Sequence, residues 1–331
     1  MKEILPYGIA THLTELHNLS SRLSNVDEAE LKFFHEGARN IFFRLEAATR
    51  ILRYSVDKKT FNGYNDLFKK VEDVLGTFDY YEALYKSIEG KEGIDPNFIA
   101  YFKKNLDDHQ KLMGDFLVEQ KWIGTNVSTY TDLITDFSKI DYPKVKELRK
   151  LLAKYMIKQL TKVQDAYEQK TLDINDIEGG IHEIRRKLRW VSIYAQVCNG
   201  WIQLREVKTT PSSFKKYQTK EIINSPFNKL PKAPQNFDSL IIDSTNFYAL
   251  SWAIDELGKI KDQGMKVQAI NEAIQVCGIK NKTQIQLIRD TYTASISSLA
   301  EAPNQAKVVL ENFFVKDKIA ENIIANLKDS L

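Results

Sequence analysis

The sequence has few of the residues that mark a disulfide-stapled, sheet-rich or membrane-spanning protein. Its 331 residues include only 2 cysteines, 14 glycines and 8 prolines. Two cysteines cannot build a disulfide framework, and so few helix-breaking residues favour helices over a sheet. No apolar run approaches the roughly 18 residues of a membrane span, and the first residues lack a signal-peptide core. We therefore expect a cytoplasmic, all-α protein that has no membrane segment.

The chain also lacks a strong excess of one charge. Its 47 basic and 44 acidic residues leave a formal net charge of +3. A chain this close to neutral is not a strongly basic nucleic-acid binder, and we expect no sequence-specific binding of nucleic acid. Any anion site must arise from local clustering. Hydrophobic residues make up 43% of the chain, which is enough to bury a sizeable core in one large domain or two.

Short catalytic motifs are missing as well. The sequence contains no glycine-rich phosphate loop, HExxH, CxxC or serine elbow. Asp107 and Asp108 are adjacent, so their carboxylates diverge on a helix. His12 and His17 are five residues apart, so they do not lie on one helix face and are not expected to share a metal ion. We expect a non-catalytic protein with no cofactor and no metal site, and an unrecognised enzyme remains an alternative.

The stretch from about Asp176 to Arg205 has the pattern of one amphipathic helix with a basic face. Steps of three and four residues separate its apolar or small residues, which are Ile181, Ile184, Leu188, Val191, Ala195, Cys198 and Ile202. On the neighbouring face, over two turns, lie His182, Arg185, Arg186 and Arg189. Arginine presents a planar fork of donors that matches phosphate oxygens, and arginines on successive turns can follow an extended polyanion. This face is the best candidate site.

An earlier stretch, from Phe34 to Leu52, has a similar plan. Counted from His35 and from His182, the positions −1, +6 and +13 are apolar or small in both stretches. The two histidines are 182 − 35 = 147 residues apart, close to half of the chain. This spacing favours an internal duplication in which the two basic helices are copies.

A Leu-Gly pair supports the duplication. Leu75-Gly76 follows His35 by 40 residues, and Leu257-Gly258 follows His182 by 75. The extra 35 residues are explained by a proline-rich segment from Lys208 to Asp238, which predicts a long loop. Its prolines are Pro211, Pro226, Pro231 and Pro234.

A His-x-x-Arg helix with further basic residues, present twice and each time followed by a Leu-Gly turn, resembles the CHAD family, the conserved histidine alpha-helical domain. The resemblance covers most of the chain. The second half fits better, because His182, Arg185 and Arg189 occupy the His, +3 and +7 positions. The family's fold implies two tandem antiparallel helical bundles with internal pseudo-twofold symmetry. These would be residues 1–172 and 173–331, with the histidine helices near the shared axis.

The same resemblance implies a function, since known members look like polyphosphate-binding modules with basic residues on a shared surface. It implies that inorganic polyphosphate is bound by His182, Arg185, Arg186 and Arg189, with weaker candidates in His35, Arg39, Arg44 and Lys261. The first half departs from the family's pattern. Arg39 stands at +4 rather than +3, and Phe42 and Phe43 occupy positions that are usually basic. We therefore expect a basic surface that comes mainly from the second half.

A purely structural interpretation stays open. In it, Arg185, Arg186 and Arg189 pair with acidic residues of adjacent helices, and His182 makes a hydrogen bond between helices. The corresponding function is a helical scaffold or adaptor that binds a protein partner. Loss of anion affinity on charge removal would distinguish the two functions.

Other segments predict further helices. One begins at Asp141-Tyr142-Pro143 and runs to about Lys170, and its basic residues mostly alternate with Glu and Gln, which favours a solvated face over a share in an anion site. The rest extend from Pro96 to about Trp122, from Phe61 to Glu89 with a bend near Gly76, from Ser239 to Gln263, from Gly264 to Val276, from Thr283 to Ala300, and from Pro303 to the end.

Overall fold

The computed structural model describes residues 5–24, 26–125, 128–233, 235–293 and 301–331. It is 75% helix and 3% strand, which confirms the prediction of a mainly α fold. Pro234 and the end of the helix expected up to Ala300 lie outside the described residues. Within these ranges, no helix combines the length and the apolar composition that a membrane crossing requires.

Helices follow one another along almost the whole chain. The α-helices are α1 (Ile9–Arg22), α2 (Ala29–His35), α3 (Ala38–Ser55), α4 (Lys58–Ile88), α5 (Pro96–Glu119), α6 (Thr129–Ser138), α7 (Val145–Glu168), α8 (Glu183–Val197), α9 (Lys220–Asn224), α10 (Ser244–Val276), α11 (Lys282–Thr293), α12 (Ala302–Glu311) and α13 (Ile319–Asp329). Within the described residues, the remaining elements are the π-turns Ile177–His182 and Asn312–Lys316, the 3-10 turns Pro6–Gly8, Ser212–Tyr217 and Pro226–Asn228, and the strands β1 (Ile202–Arg205) and β2 (Leu240–Asp243).

Aspartate caps begin two of the predicted helical segments. Asp95 accepts a hydrogen bond from the backbone N–H of Asn97, and Pro96 occupies the first helical position of α5, as predicted. Asp176 accepts from the backbone N–H groups of Glu178 and Gly179, at 3.0 Å each, and begins the π-turn that leads into α8. The candidate basic helix therefore starts close to where the sequence places it.

The end of that helix was predicted wrongly. α8 stops at Val197, and the backbone then turns through Gly200, which has a φ of 87°. Positive φ is costly for other residues but open to glycine. The chain continues as β1, in which Ile202 pairs in parallel with Leu240 of β2. This two-stranded sheet joins the two ends of the proline-rich segment, a tertiary pairing that helical periodicity does not reveal.

Two segments expected to be continuous helices are interrupted. α2 ends at His35 and α3 begins at Ala38, because Gly37 between them has a φ of 94°. His35 and Arg39 therefore lie on different helices. The segment expected as one helix from Pro303 onward divides into α12 and α13 around a π-turn.

Three glycines expected to bend or end helices lie inside them instead. α4 continues through Gly76, and α10 continues through Gly258 and Gly264. Neither Leu-Gly pair is therefore a turn. Glycine inside a helix costs roughly 1 kcal/mol relative to alanine, but it allows a neighbouring group to lie against the backbone. Ile177 does so at Gly264, where an added Cβ would overlap its side chain.

One hydrophobic core takes side chains from both halves of the chain. Phe42 of α3, Leu188 of α8 and Leu257 of α10 are fully buried in it, and α3 packs directly against both α4 and α8. A smaller core joins α4, α5, α10 and α11 around Ile88 and Phe98. The packing therefore places the two motif helices, α3 and α8, side by side.

Candidate functional site

Most of the basic groups at the start of α8 are paired within that helix and the turn before it. Nδ1 of His182 lies 2.8 Å from Oε1 of Glu178. Glu183 accepts hydrogen bonds from Arg186 at 2.7 Å and from Lys187 at 2.8 Å. Burial raises the pKa of Glu183, but these two cationic donors more than offset it and lower the pKa to about 2. Both cations therefore share one carboxylate, which offsets only one of their two positive charges.

Arg185 points in the other direction and lies across α10. Its Nε donates a hydrogen bond to the backbone carbonyl of Ile254 at 3.1 Å. The guanidinium rests against Gly258, where an added Cβ would lie only 2.8 Å from Nε. Burial lowers the pKa of Arg185, and the nearby charges of Asp262 and Asp255 oppose that shift. The glycine of the second Leu-Gly pair thus makes room for this arginine.

Arg39 has the same relation to α4. An added Cβ at Gly76 would lie 2.7 Å from its Nη2. Arg39 donates to Glu72 at 2.9 Å and also forms an ion pair with Asp79. The two Leu-Gly pairs therefore have the same structural role in the two halves, because each lets one arginine lie against the backbone of a long helix.

Arg189 lies between these two arginines and stacks on an aromatic ring. Its guanidinium carbon is 4.2 Å from the centre of the Phe43 ring, and that of Arg39 is 5.4 Å from the same ring. Burial lowers the pKa of Arg189, and the positive charges of Arg185 and Arg39 lower it further, to about 10. We call Arg39, Arg185 and Arg189 the three-arginine cluster.

Only one member of the cluster lacks a hydrogen-bonding partner. Within the described parts of the chain, the guanidinium of Arg189 has neither an acceptor nor an ion pair, whereas Arg39 and Arg185 each have at least one acceptor. Arginine carries five N–H donors in a rigid fork. The described residues therefore leave the donors of Arg189 free for solvent or for a bound anion.

The other candidates pair away from the cluster. Each of them pairs with a nearby carboxylate instead of stacking on the Phe43 ring. These pairs are His35 with Glu82 at 3.2 Å, Arg44 with Glu15 at 3.2 Å, and Lys261 with Asp262 at 3.0 Å.

Phe43 is the site residue that the sequence reasoning missed. The expectation was that an aromatic at this position weakens the basic surface, whereas in the structure its ring supports two arginines. Its position four residues after Arg39 places both on one face of α3, which is a signal that was present in the sequence. The partnership with Arg189 is tertiary, because it depends on the packing of α3 against α8.

Neither a metal centre nor a known relative indicates a function. Within the residues that the structure describes, no three His, Cys, Asp or Glu side chains are grouped so that they could hold a metal ion. Comparisons with family models, with curated proteins and with solved structures give no match to this chain. Function is therefore inferred from the geometry of the chain's own residues.

Proposed function

We propose that this protein binds inorganic polyphosphate, or a similar phosphate-rich polyanion, at the three-arginine cluster. The observation that supports this is Arg189, which is held on the Phe43 ring, faces two like charges and has no acceptor within the described residues. A bound anion would offset the burial and the repulsion by Arg185 and Arg39 that together lower the pKa of Arg189. It would also occupy the free donors of the guanidinium fork.

The cluster suits a repeating anion because it draws on both halves of the chain. Arg39 comes from α3, and Arg185 and Arg189 come from successive turns of α8. A chain of phosphates can meet several guanidinium groups at once without needing a closed pocket. Binding would release condensed counterions, so the affinity is expected to fall steeply with salt, as it does for nucleic acids.

We propose the corresponding architecture as two tandem helical bundles, residues 1–172 and 173–331, related by an internal pseudo-twofold axis. The placement of Arg39 against Gly76 and of Arg185 against Gly258 supports the duplication. So does the direct packing of α3 against α8, which would lie next to the axis. On this proposal the chain is a divergent member of the CHAD family.

A helical adaptor that binds a protein partner is the second candidate. It is supported by the carboxylates around the basic groups, since Glu72 and Asp79 already bind Arg39, and Glu183 binds Arg186 and Lys187. A polyanion at the cluster has to compete with Glu72 and Asp79. The adaptor function needs no such competition, because the ion pairs would then be structural.

Removal of Arg189 separates the two candidates. Titration with long-chain polyphosphate at low and moderate salt should show salt-sensitive binding by the wild type. The variant Arg189→Gln should bind roughly ten- to a hundredfold more weakly, because a hydrogen-bonded charged partner contributes about 1.5–3 kcal/mol.

The matched control is Arg22→Gln. It also removes one arginine charge, but Arg22 is an exposed residue of α1 that pairs with Glu36. The control should keep wild-type affinity, and circular dichroism should show that both variants are folded. Equal affinity of wild type and Arg189→Gln would contradict the proposed site and favour the adaptor.

A further inference from the structure

A second basic surface lies on α7, apart from the three-arginine cluster. Lysines recur at every fourth position of this helix and all five are exposed. We call them the lysine row, and its members are Lys146, Lys150, Lys154, Lys158 and Lys162. Residues four apart lie on neighbouring turns of one helix face, so the row forms a continuous positive stripe.

The lysine row faces solvent, as the sequence predicts for this helix, but acidic residues do not alternate with it. Between Glu147 and Asp165 the chain has no acidic residue. Within the described residues, no lysine of the row takes part in an ion pair. By contrast, lysines on other long helices pair with a carboxylate four residues away, as Lys103 does with Asp107 and Lys69 with Asp73.

Arg149 shows that the missing pairs are not a general property of α7. It is the other basic side chain of this acid-free stretch, and it is buried. Arg149 donates to the backbone carbonyls of Asp238 and Ser330 and pairs with the Asp238 carboxylate at 3.1 Å. It therefore ties α7 to the segment just before β2 and to Ser330, whereas the lysine row faces solvent and has no ion pair within the described residues.

The spacing and the length of the lysine row suit an extended, flexible chain of negative charges. At 1.5 Å per residue its charges are about 6 Å apart along the helix axis and span about 24 Å. Each step of four residues also rotates the position by about 40° around the axis. The stripe therefore curves around the helix, and a flexible chain can follow all of it, whereas a flat membrane or a stiff duplex would contact only part.

An exposed aromatic side chain lies beside the middle of the row. Tyr54 of α3 is 37% exposed, and its ring centre is 5.2 Å from that of Tyr155 on α7. Nζ of Lys158 lies 5.2 Å from the Tyr54 ring centre. A positive groove or stripe with an adjacent aromatic face is how proteins bind single-stranded nucleic acid without reading its sequence.

We propose that the lysine row and Tyr54 form a sequence-independent binding surface for single-stranded nucleic acid. The lysines contact successive phosphates, and one base stacks on Tyr54. This surface is distinct from the three-arginine cluster, since Tyr54 lies 11 residues after Phe43 on α3, or about 16 Å along the helix. It does not rest on the proposed polyphosphate binding.

The test is a titration of a fluorescent single-stranded oligothymidylate against the full chain. Five phosphate contacts predict a slope near −3.5 for log affinity against log salt, so affinity should fall about a hundredfold between 50 and 200 mM salt. The variant Lys150→Gln/Lys154→Gln/Lys158→Gln should reduce the size of the slope by about 2. Tyr54→Ala should weaken binding at least about fivefold, while Tyr54→Phe, which keeps the ring, should not.

The matched control removes an equal number of lysine charges from α5, as Lys103→Gln/Lys104→Gln/Lys111→Gln. This control should bind the oligonucleotide like the wild type. An equal loss in this control would show a general charge effect and overturn the proposal. No binding of the oligonucleotide at low salt would also overturn it. So would binding to anionic phospholipid vesicles in place of the oligonucleotide, because the surface would then be a membrane contact.

Discussion

Gly180→Ala is expected to destabilise the protein by about 3 kcal/mol or more, at or above the upper end of the usual cost of overpacking. Gly180 lies in the π-turn that leads into α8, and its backbone is in contact with the preceding loop. An added Cβ would overlap the carbonyl oxygen of Asp173 and lie 2.5 Å from its carbonyl carbon. Both atoms belong to the backbone, so the clash cannot be relieved by rotating a side chain. The start of α8 would have to move, and the core contacts of Ile181 and Ile184 would move with it.

A second glycine provides the control for this substitution. Gly63 lies inside α4, and an added Cβ there would meet nothing within 4 Å. Gly63→Ala should therefore stabilise the protein by about 0.5–1 kcal/mol, because alanine loses less backbone freedom than glycine in a helix. Chemical unfolding followed by circular dichroism measures both variants. A loss below about 1 kcal/mol in Gly180→Ala would show that the turn does not pack as described.

Arg50→Met is expected to cost about 3 kcal/mol at neutral pH, the lower end for breaking a buried ion pair. Arg50 donates two hydrogen bonds to Oε1 of Glu46, at 2.8 and 3.0 Å, and its guanidinium lies 4.0 Å from the centre of the Trp190 ring. Glu46 is only 2% exposed. The methionine keeps the apolar packing against Trp190 but leaves the Glu46 carboxylate buried without its partner.

The cost of Arg50→Met should shrink in acid. Burial already raises the pKa of Glu46, although Arg50 opposes the shift, and removal of Arg50 would raise it further. A carboxyl with a raised folded pKa makes the protein less stable as the pH rises from the ordinary glutamate value through the folded value. The stability gap between variant and wild type should therefore be smaller at pH 4 than at pH 7, as measured by urea unfolding.

Removal of both charges provides the companion test. The double variant Glu46→Leu/Arg50→Met should recover most of the loss and lie within about 1 kcal/mol of the wild type, because an apolar pair often replaces a buried ion pair at little cost. If the double variant were as unstable as Arg50→Met, the loss would come from packing against Trp190 and not from an unpaired carboxylate.

Much of the helical architecture follows from the sequence alone. The three-and-four spacing of Ile181, Ile184 and Leu188 predicts a buried seam, and all three are buried. Cys198 is buried, as that seam predicts. Periodicity succeeds here because these residues pack along one face of a helical segment. It fails at Ile202, which is buried too but lies in β1, because a buried strand of four residues carries no distinctive period.

At the candidate site, too, the sequence predicts the contacts within one helix but not the contacts between helices. The bonds of Glu183 to Arg186 and Lys187 join residues three and four apart, so the sequence alone indicates them. The arrangement of Arg189, Phe43 and Arg39 joins two helices that are more than a hundred residues apart in sequence, and no local rule supplies it. The roles of Gly76 and Gly258 are equally tertiary, since each depends on which side chain crosses the glycine.

The most direct test of the proposed site is a double-mutant cycle for polyphosphate binding with Arg39→Gln, Arg189→Gln and the combined variant. One shared cluster predicts that each substitution weakens binding and that the two losses deviate from additivity by at least about 0.5 kcal/mol, as expected for groups in contact. Unfolding curves should first show that all three variants are folded. Unchanged affinity in Arg39→Gln, or losses that add within about 0.3 kcal/mol, would contradict a single anion site shared by the two halves of the chain.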